Sequence, residues 1–302
     1  MTKKIGIMKA RLLNFHIVWM ISAGVGFPSY AGEGGSGLCP KTKPFMKKDP
    51  LEKKAPLKIL MLDVGGSNVK LRVSGTEEIR KVPSGREFTA KQMVQEVKEA
   101  ARDWDYDAIT LGYPGLIEDG KPVREPLNLG GGWLGFDYEK VFGKPVRFIN
   151  DASMQALANY EGGRMLFMGF GTSTGATFIT HDVLVPLEIG LLRLARKGKF
   201  MDWLGKAYLK AEGKDLWLEH VQEAVFILQD MFKPTDTVLG GGNAKLIDPL
   251  PPGCRLSTNH NAFRGAERLW PGADMLAEPR GNSWRIRREN LNAKGAKDAK
   301  GE

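Results

Sequence analysis

Residues 57–73 read LKILMLDVGGSNVKLRV, and the reading of this stretch decides the fold. Residues 57–62 form an apolar run bounded by turn signals, the pattern of a buried strand. Residues 63–68 make a polar glycine turn, and residues 69–73 form a second strand. Gly65 and Gly66 can take positive φ and leave no Cβ in the way. Their backbone N–H groups, with the Ser67 hydroxyl, then suit a closely approaching phosphate. Asp63 ends the first strand, where a carboxylate can hold Mg²⁺ through its water shell. Lys70 adds a positive charge beside the turn. The same pattern also describes a plain β-hairpin with a Gly-Gly turn.

A second stretch shifts that balance. Residues 164–180, RMLFMGFGTSTGATFIT, repeat the grammar of apolar strand, glycine turn and apolar strand about a hundred residues later. Repetition of one supersecondary unit says more than either turn alone. Two facing hairpins around one phosphate chain are the plan of the actin-like, hexokinase-like ATPases.

The chain has 302 residues, enough for two domains with cores of their own. Its net charge of +9 is unevenly spread. Residues 1–56 hold ten Lys/Arg against three Asp/Glu, and residues 271–302 seven against five. Residues 57–270 are balanced at 27 each, so the basic character gives the central part no reason to bind nucleic acid. Cys39 and Cys254 are too few and too far apart for a disulfide framework or a Cys-rich metal site. Reduced thiols and a cytoplasmic location are the simplest reading.

The N-terminus bears on that location. Lys3, Lys4, Lys9 and Arg11 precede an apolar run over residues 12–27, and Ser29-Tyr30-Ala31 resembles a cleavage site, the layout of an export signal. As a membrane span the run is too short and too polar. Met46-Lys47-Lys48 resembles a natural start, so residues 1–45 also read as an upstream extension, a reading ranked slightly above export. Residues 1–56 are expected to be a signal-like or disordered extension dispensable for folding. A domain over 57–150, a second over 151–270 and a disordered tail over 271–302 complete the expected organisation.

Within the first domain, a third strand over 79–82 precedes a capping box, Thr89 to Gln92, which opens a helix. A strand over 108–111 follows, and this order predicts a mixed sheet covered by helices. Residues 121–133, KPVREPLNLGGGW, read as a mobile or tightly turned loop carrying Asn128. A strand over 146–149 runs into Asn150-Asp151 and a helix. Asp151 stands where open α/β sheets bind ligands, at a strand's carboxyl end. It is also expected to be that helix's N-cap. Residues 191–233 read as helical. A short strand over 237–239 enters the turn Gly240-Gly241-Gly242-Asn243, and a last helix spans 262–270.

Taken in order, these motifs resemble the ROK family of sugar kinases within the actin-like fold, closest to its polyphosphate glucokinase branch. The stretches that carry the match are Asp63 to Lys70, Gly112-Tyr113-Pro114-Gly115, Asn128-Leu129 with Trp133, Ile149 to Ala152, and Gly169 to Gly175. Glu188-Ile189-Gly190, Leu239 to Gly242, and Asn261 with Gly265-Ala266 extend it. The resemblance covers roughly residues 57–270. It implies an α/β fold of the actin-like/hexokinase-like ATPase type, two α/β domains with mixed sheets flanking a cleft. Asp63, Gly65, Gly66, Ser67, Asn68 and Lys70 would bind the donor phosphate, with Asp63 holding Mg²⁺ through water. Gly171, Thr172 and Gly175 would hold the other side of the phosphates, and Gly240, Gly241, Gly242 and Asn243 would border the donor's adenosine. Asn128, Asn150, Asp151 and Glu188 would grip a hexose, glucose first. Asp151 would be the general base. The implied donor is ATP or polyphosphate, with no nucleic-acid or membrane partner, and a homodimer is allowed.

Three departures stand out. The family's Glu-x-Gly-His is Glu188-Ile189-Gly190-Leu191 here, which places an apolar side chain where a histidine helps hold the sugar. The Cys-rich zinc loop that follows in many members is missing, so no zinc is expected. The second turn, Gly-Thr-Ser-Thr-Gly, also differs from the usual Gly-Thr-Gly-x-Gly. The leading reading is a phosphotransferase acting on a sugar hydroxyl. The alternative is a ROK-like sugar sensor with weak or no turnover, and a weaker third is a secreted carbohydrate-binding protein.

Overall fold

The strand, turn and strand over residues 59–73 are the first hairpin of a five-stranded mixed sheet. The computed structural model describes residues 57–194, 198–257 and 262–289; the N-terminal extension and residues 290–302 lie outside them. In chain order the first half holds β1 (Ile59–Val64), β2 (Asn68–Val73), β3 (Arg80–Pro83), α1 (Ala90–Ala100), β4 (Ala108–Tyr113), β5 (Ile117–Glu118), β6 (Lys121–Pro122), α2 (Tyr138–Phe142) and β7 (Val146–Asn150). The sheet runs β3-β2-β1-β4-β7. β2 and β3 are antiparallel, while β1, β4 and β7 are parallel, with Asp63, Gly112 and Ile149 level near their carboxyl ends. β1 and β4 are buried throughout, as parallel strands covered on both faces should be. The capping box at Thr89 and Gln92 starts α1, whose Met93, Val94 and Val97 face the core.

The second half begins with α3 (Asp151–Asn159) and repeats the plan with β8 (Met165–Phe170), β9 (Thr174–Thr180) and β10 (Val183–Leu187). Two-residue ladders follow at β11 (Arg193–Leu194) and β12 (Gly198–Lys199). Then come α4 (Phe200–Leu204), α5 (Lys206–Glu212), α6 (Lys214–Phe232), β13 (Asp236–Gly240), β14 (Cys254–Leu256), α7 (Ala262–Glu267), β15 (Met275–Arg280) and β16 (Ser283–Arg288). The second sheet runs β14-β13-β8-β9-β10-β16-β15, so its first five strands reproduce the order and directions of the first sheet. The mixed α/β class and the internal repeat expected from the two glycine hairpins are therefore present.

One apolar core runs from the first sheet through α3 and α7 to the inner face of the second. A second core lies under α4 and α6, around Phe200, Trp203 and Trp217. α3 and α7 touch backbone to backbone: a Cβ on Gly265 would stand 1.9 Å from the Met154 carbonyl oxygen. Thr110 Oγ1 donates to the Ala266 carbonyl at 2.9 Å and accepts from Trp270 Nε1 at 2.8 Å, which joins α7 to the first sheet.

Two expectations change, and the loop over 121–133 takes the tightly turned form of its two readings. Residues 191–233 are not one helical stretch, because β11 and β12 precede three separate helices that break at Gly205 and Gly213. A side chain on Gly205 would meet the Thr172 carbonyl oxygen at 2.9 Å, so glycine stands there to let the helices approach the second glycine turn. Residues 271–289 are not a disordered tail. Trp284 and Ile286 alternate with Arg285 and Arg287, the period of a half-buried strand, and they widen the second sheet. The loop carrying three glycines is anchored, since Gly130 N–H donates to Phe88 at 3.0 Å and the Glu125 carboxylate accepts from the N–H groups of Trp133 and Leu134.

Candidate active site

The two glycine turns meet, and Asn128 stands beside the first of them. A Cβ on Gly66 would lie 3.4 Å from Asn128 Cβ and 3.4 Å from Thr172 Cγ2. Of the two properties expected of these glycines, only one is used. Neither Gly65 nor Gly66 has positive φ; the missing Cβ is what counts, since one on Gly65 would stand 3.1 Å from Asn68 O, while one on Gly66 would make ordinary contacts. Gly65 N–H is spent on Asn68 O at 3.0 Å, which leaves the N–H groups of Gly66 and Ser67 without an acceptor among the described residues. Ser84, which the sequence reading passed over, fixes the turn from behind: its hydroxyl donates to Gly65 O at 2.6 Å and its N–H to Ser67 O at 3.1 Å.

The second turn is fixed in the same manner. Gly171 N–H donates to Ser173 O at 3.0 Å, and Gly171 O accepts from Lys206 N–H at 3.1 Å and Asn243 Nδ2 at 3.3 Å. The third glycine turn is thus tied to the second. Gly241, at φ +83°, packs against the Phe170 backbone, Gly240 against the Phe167 ring, and Gly242 faces open space. A Cβ on Gly175 would stand 2.9 Å from Ala152 Cβ, which sets this turn against the start of α3. Lys206 and the α5 start it belongs to were not legible as site elements, since only the fold carries them there. Thr174, 4% exposed, keeps a hydroxyl without a partner among the described residues.

The carboxylates sit at the strand ends. Asp63 is 6% exposed, and Lys70 Nζ donates to it at 2.8 Å. That pair raises the Lys70 pKa, chiefly through the Asp63 charge. The carboxylate thus stands at a strand end with a cation beside it, and one carboxylate plus phosphate oxygens is a donor set that suits Mg²⁺.

The N-cap of α3 is Asn150, whose Oδ1 accepts from Ser153 N–H at 3.0 Å. Asp151 was expected to cap and does not. Its Oδ1 accepts from the neighbouring Ala152 N–H at 2.8 Å. Burial, then the nearby Asp63 charge, push its carboxyl up to about 7, with Glu188 adding to the rise. Desolvation also raises Glu188, opposed by Arg124, another residue that the sequence reading did not single out. Asn150 is committed on both sides: Nδ2 donates to Gly115 O at 3.1 Å and Oδ1 holds the cap, which leaves little of this 8%-exposed amide for a ligand. Glu188 leads into a 3₁₀ turn, Ile189–Leu191, that packs on the second glycine turn, with Gly190 against the Thr174 carbonyl. Asn128 thus lies beside the first glycine turn, Asp151 close to Asp63 and Glu188, and the Glu188 turn against the second glycine turn. No group of three or more His, Cys, Asp and Glu able to hold a metal occurs among the described residues.

Two sheets of one plan, each opening with a glycine hairpin, define the actin-like, hexokinase-like class of fold. Among solved structures, the chain is similar to the inorganic polyphosphate/ATP-glucomannokinase from Arthrobacter sp. strain KM. The TM-score is 0.61 at 23% identity, over 70% of this chain and 97% of that one. It is also similar to a ROK family glucokinase from Streptomyces griseus in complex with glucose and AMPPNP (TM-score 0.54, 16% identity, 70% and 97% covered). A ROK family transcriptional regulator, a homolog of the E. coli MLC protein, shares the fold as well (TM-score 0.51, 15% identity, 70% and 77% covered). No family model matches the chain, and no curated protein matches its sequence. The fold is that of the ROK sugar kinases, as the motifs implied. No helix among the described residues is long and apolar enough to cross a membrane.

Proposed function

We propose that this chain is a sugar kinase that moves a phosphoryl group from ATP or polyphosphate to a hexose hydroxyl, glucose first, with Asp151 as general base. The observation that carries the reading is the division of labour at the end of β7. Asn150 caps the helix, and Asp151 is left as a carboxylate facing Asp63 and Glu188. A base whose pKa lies near 7 is matched to taking a hydroxyl proton at neutral pH. Asp151 takes that proton as the sugar oxygen closes on phosphorus. The N–H groups of the two turns, with Lys70, hold the phosphate chain in line and spread its charge. Mg²⁺, held by Asp63 and the donor's own oxygens, would supply the remaining charge neutralisation. Asn128 and Glu188 orient the sugar.

Leu191 favours a second reading, a sugar sensor with weak or no turnover, because an apolar side chain follows Glu188-Ile189-Gly190 where the resemblance calls for histidine. A coupled assay of the purified chain against a panel of hexoses, with ATP and with polyphosphate, separates the two. Transfer to at least one hexose is expected. Sugar binding without transfer from either donor would establish the sensor, and neither binding nor transfer would sink both.

A further inference from the structure

A groove of about 1100 Å³ lies between the edge strand β7 of the first sheet and the β15–β16 hairpin of the second. No residue assigned to the glycine cleft lines it. One end is the β9–β10 turn at His181-Asp182, about 20 Å from the second glycine turn at the usual rise per strand residue. Five arginines line it, Arg147, Arg280, Arg285, Arg287 and Arg288, against three acids. The acids are all engaged. Asp119 Oδ1 accepts from Gly281 N–H at 2.7 Å, Asp182 Oδ1 from Tyr160 Oη at 3.0 Å, and Glu278 pairs with Arg287 at 2.5 Å. Arg147 stacks on Trp270 at 4.2 Å, and Arg288 donates to the Glu161 carbonyl. That leaves Arg280 and Arg285, both exposed and without a hydrogen-bond or ion-pair partner for their guanidinium groups among the described residues. The wall is completed by Phe148, Ile286 and Trp284, whose buried indole N–H also finds no acceptor among the described residues.

We propose that this groove is a second anion site, built for a small molecule carrying two or more phosphate groups. Guanidinium forks match phosphate oxygens two at a time. Arg280 and Arg285 stand on the hairpin, and Arg147 stands on the opposite wall. The volume, about 1100 Å³, takes a molecule larger than one phosphate ion. An occupant touches both sheets, next to the paired hydrogen bonds that already join the Asp119 turn to Gly281 at 2.7 Å each. The site therefore takes its ligand independently of the glycine cleft.

Tripolyphosphate titrated calorimetrically into the full chain is the test, with orthophosphate and succinate alongside. Gly66→Leu plugs the cleft, so that variant isolates the groove. It is expected to bind one tripolyphosphate, and orthophosphate and succinate at least roughly tenfold more weakly. Adding Arg280→Ser and Arg285→Ser is expected to weaken binding by roughly tenfold or more. Adding Arg280→Lys and Arg285→Lys instead keeps the charge, loses the forks and should weaken it by less. Melting curves report folding of each variant, and the Lys pair decides the matter should the Ser pair not fold. No binding to Gly66→Leu, equal affinity in the arginine variants, or equal affinity for orthophosphate would each overturn the site.

Discussion

Asn150 and Asp151 differ by one group of atoms and do different work. Asn150 holds the first turn of α3, so Asn150→Ala should cost about 1 kcal/mol of stability, read from denaturant melts. Asp151→Asn should instead lower kcat by roughly 10²–10⁴ while the fold persists. The pH dependence has a definite sign. The folded carboxyl titrates at about 7, above its ordinary value, so folded protein keeps the proton that unfolded chain has already lost. Wild type therefore loses stability as pH climbs from about 4 to about 7, and Asp151→Asn does not. The mutant's melting temperature should pull ahead of wild type across that window and hold its lead above it. For the same reason wild-type kcat should rise with pH to a plateau past about 7; a flat profile would remove Asp151 as the base. Leu191→His, beside Glu188, should tighten glucose binding by about 1 kcal/mol, and unchanged affinity would point to another sugar.

At the scale of elements, two glycines make separable predictions. Gly66→Val pushes against Asn128 and Thr172 and should raise the donor KM while leaving melting nearly unchanged. Gly265→Ala forces a methyl into the Met154 carbonyl and should cost on the order of 3 kcal/mol with no selective effect on the donor. These elements also show what a sequence can tell. The glycine hairpins were legible because strand, turn and strand are local patterns, and the pattern occurs twice. Which residues stand beside them was not, because the neighbours of Gly66 come from residues 128 and 172, far along the chain. The helix breaks at Gly205 and Gly213 were hidden by apolar periodicity that continues across them. The choice of Asn150 over Asp151 as cap was hidden too, since both side chains favour that position and the backbone had to decide. The β15–β16 hairpin was missed because its outward face is arginine-rich and it precedes a repetitive Ala, Lys and Gly segment, which masked the alternation of Trp284 and Ile286.

For the whole molecule, the hairpin is a structural closure. Arg268 is fully buried, and Asp274 accepts from its Nε at 2.9 Å and its Nη2 at 2.7 Å, while Nη1 donates to the carbonyls of Leu157 and Tyr160. These bonds hold Asp274 well below the usual carboxylate range. Deleting residues 272–302 strips a buried charge of its partner, a change that costs roughly 3–5 kcal/mol, and the melting temperature should fall by roughly 6–20 °C. A truncated chain that melts like the parent would refute the closure. The same pair sets an order on synthesis. Chains leave the ribosome amino end first, at about 5–20 residues per second, so Arg268 emerges before its counter-charge, and β16 follows a second or more later. Until then the second sheet has an open edge and an unpaired guanidinium beneath it. A message cut short of codon 274 therefore yields a polypeptide with every residue of the cleft and no means of sealing the body that holds it.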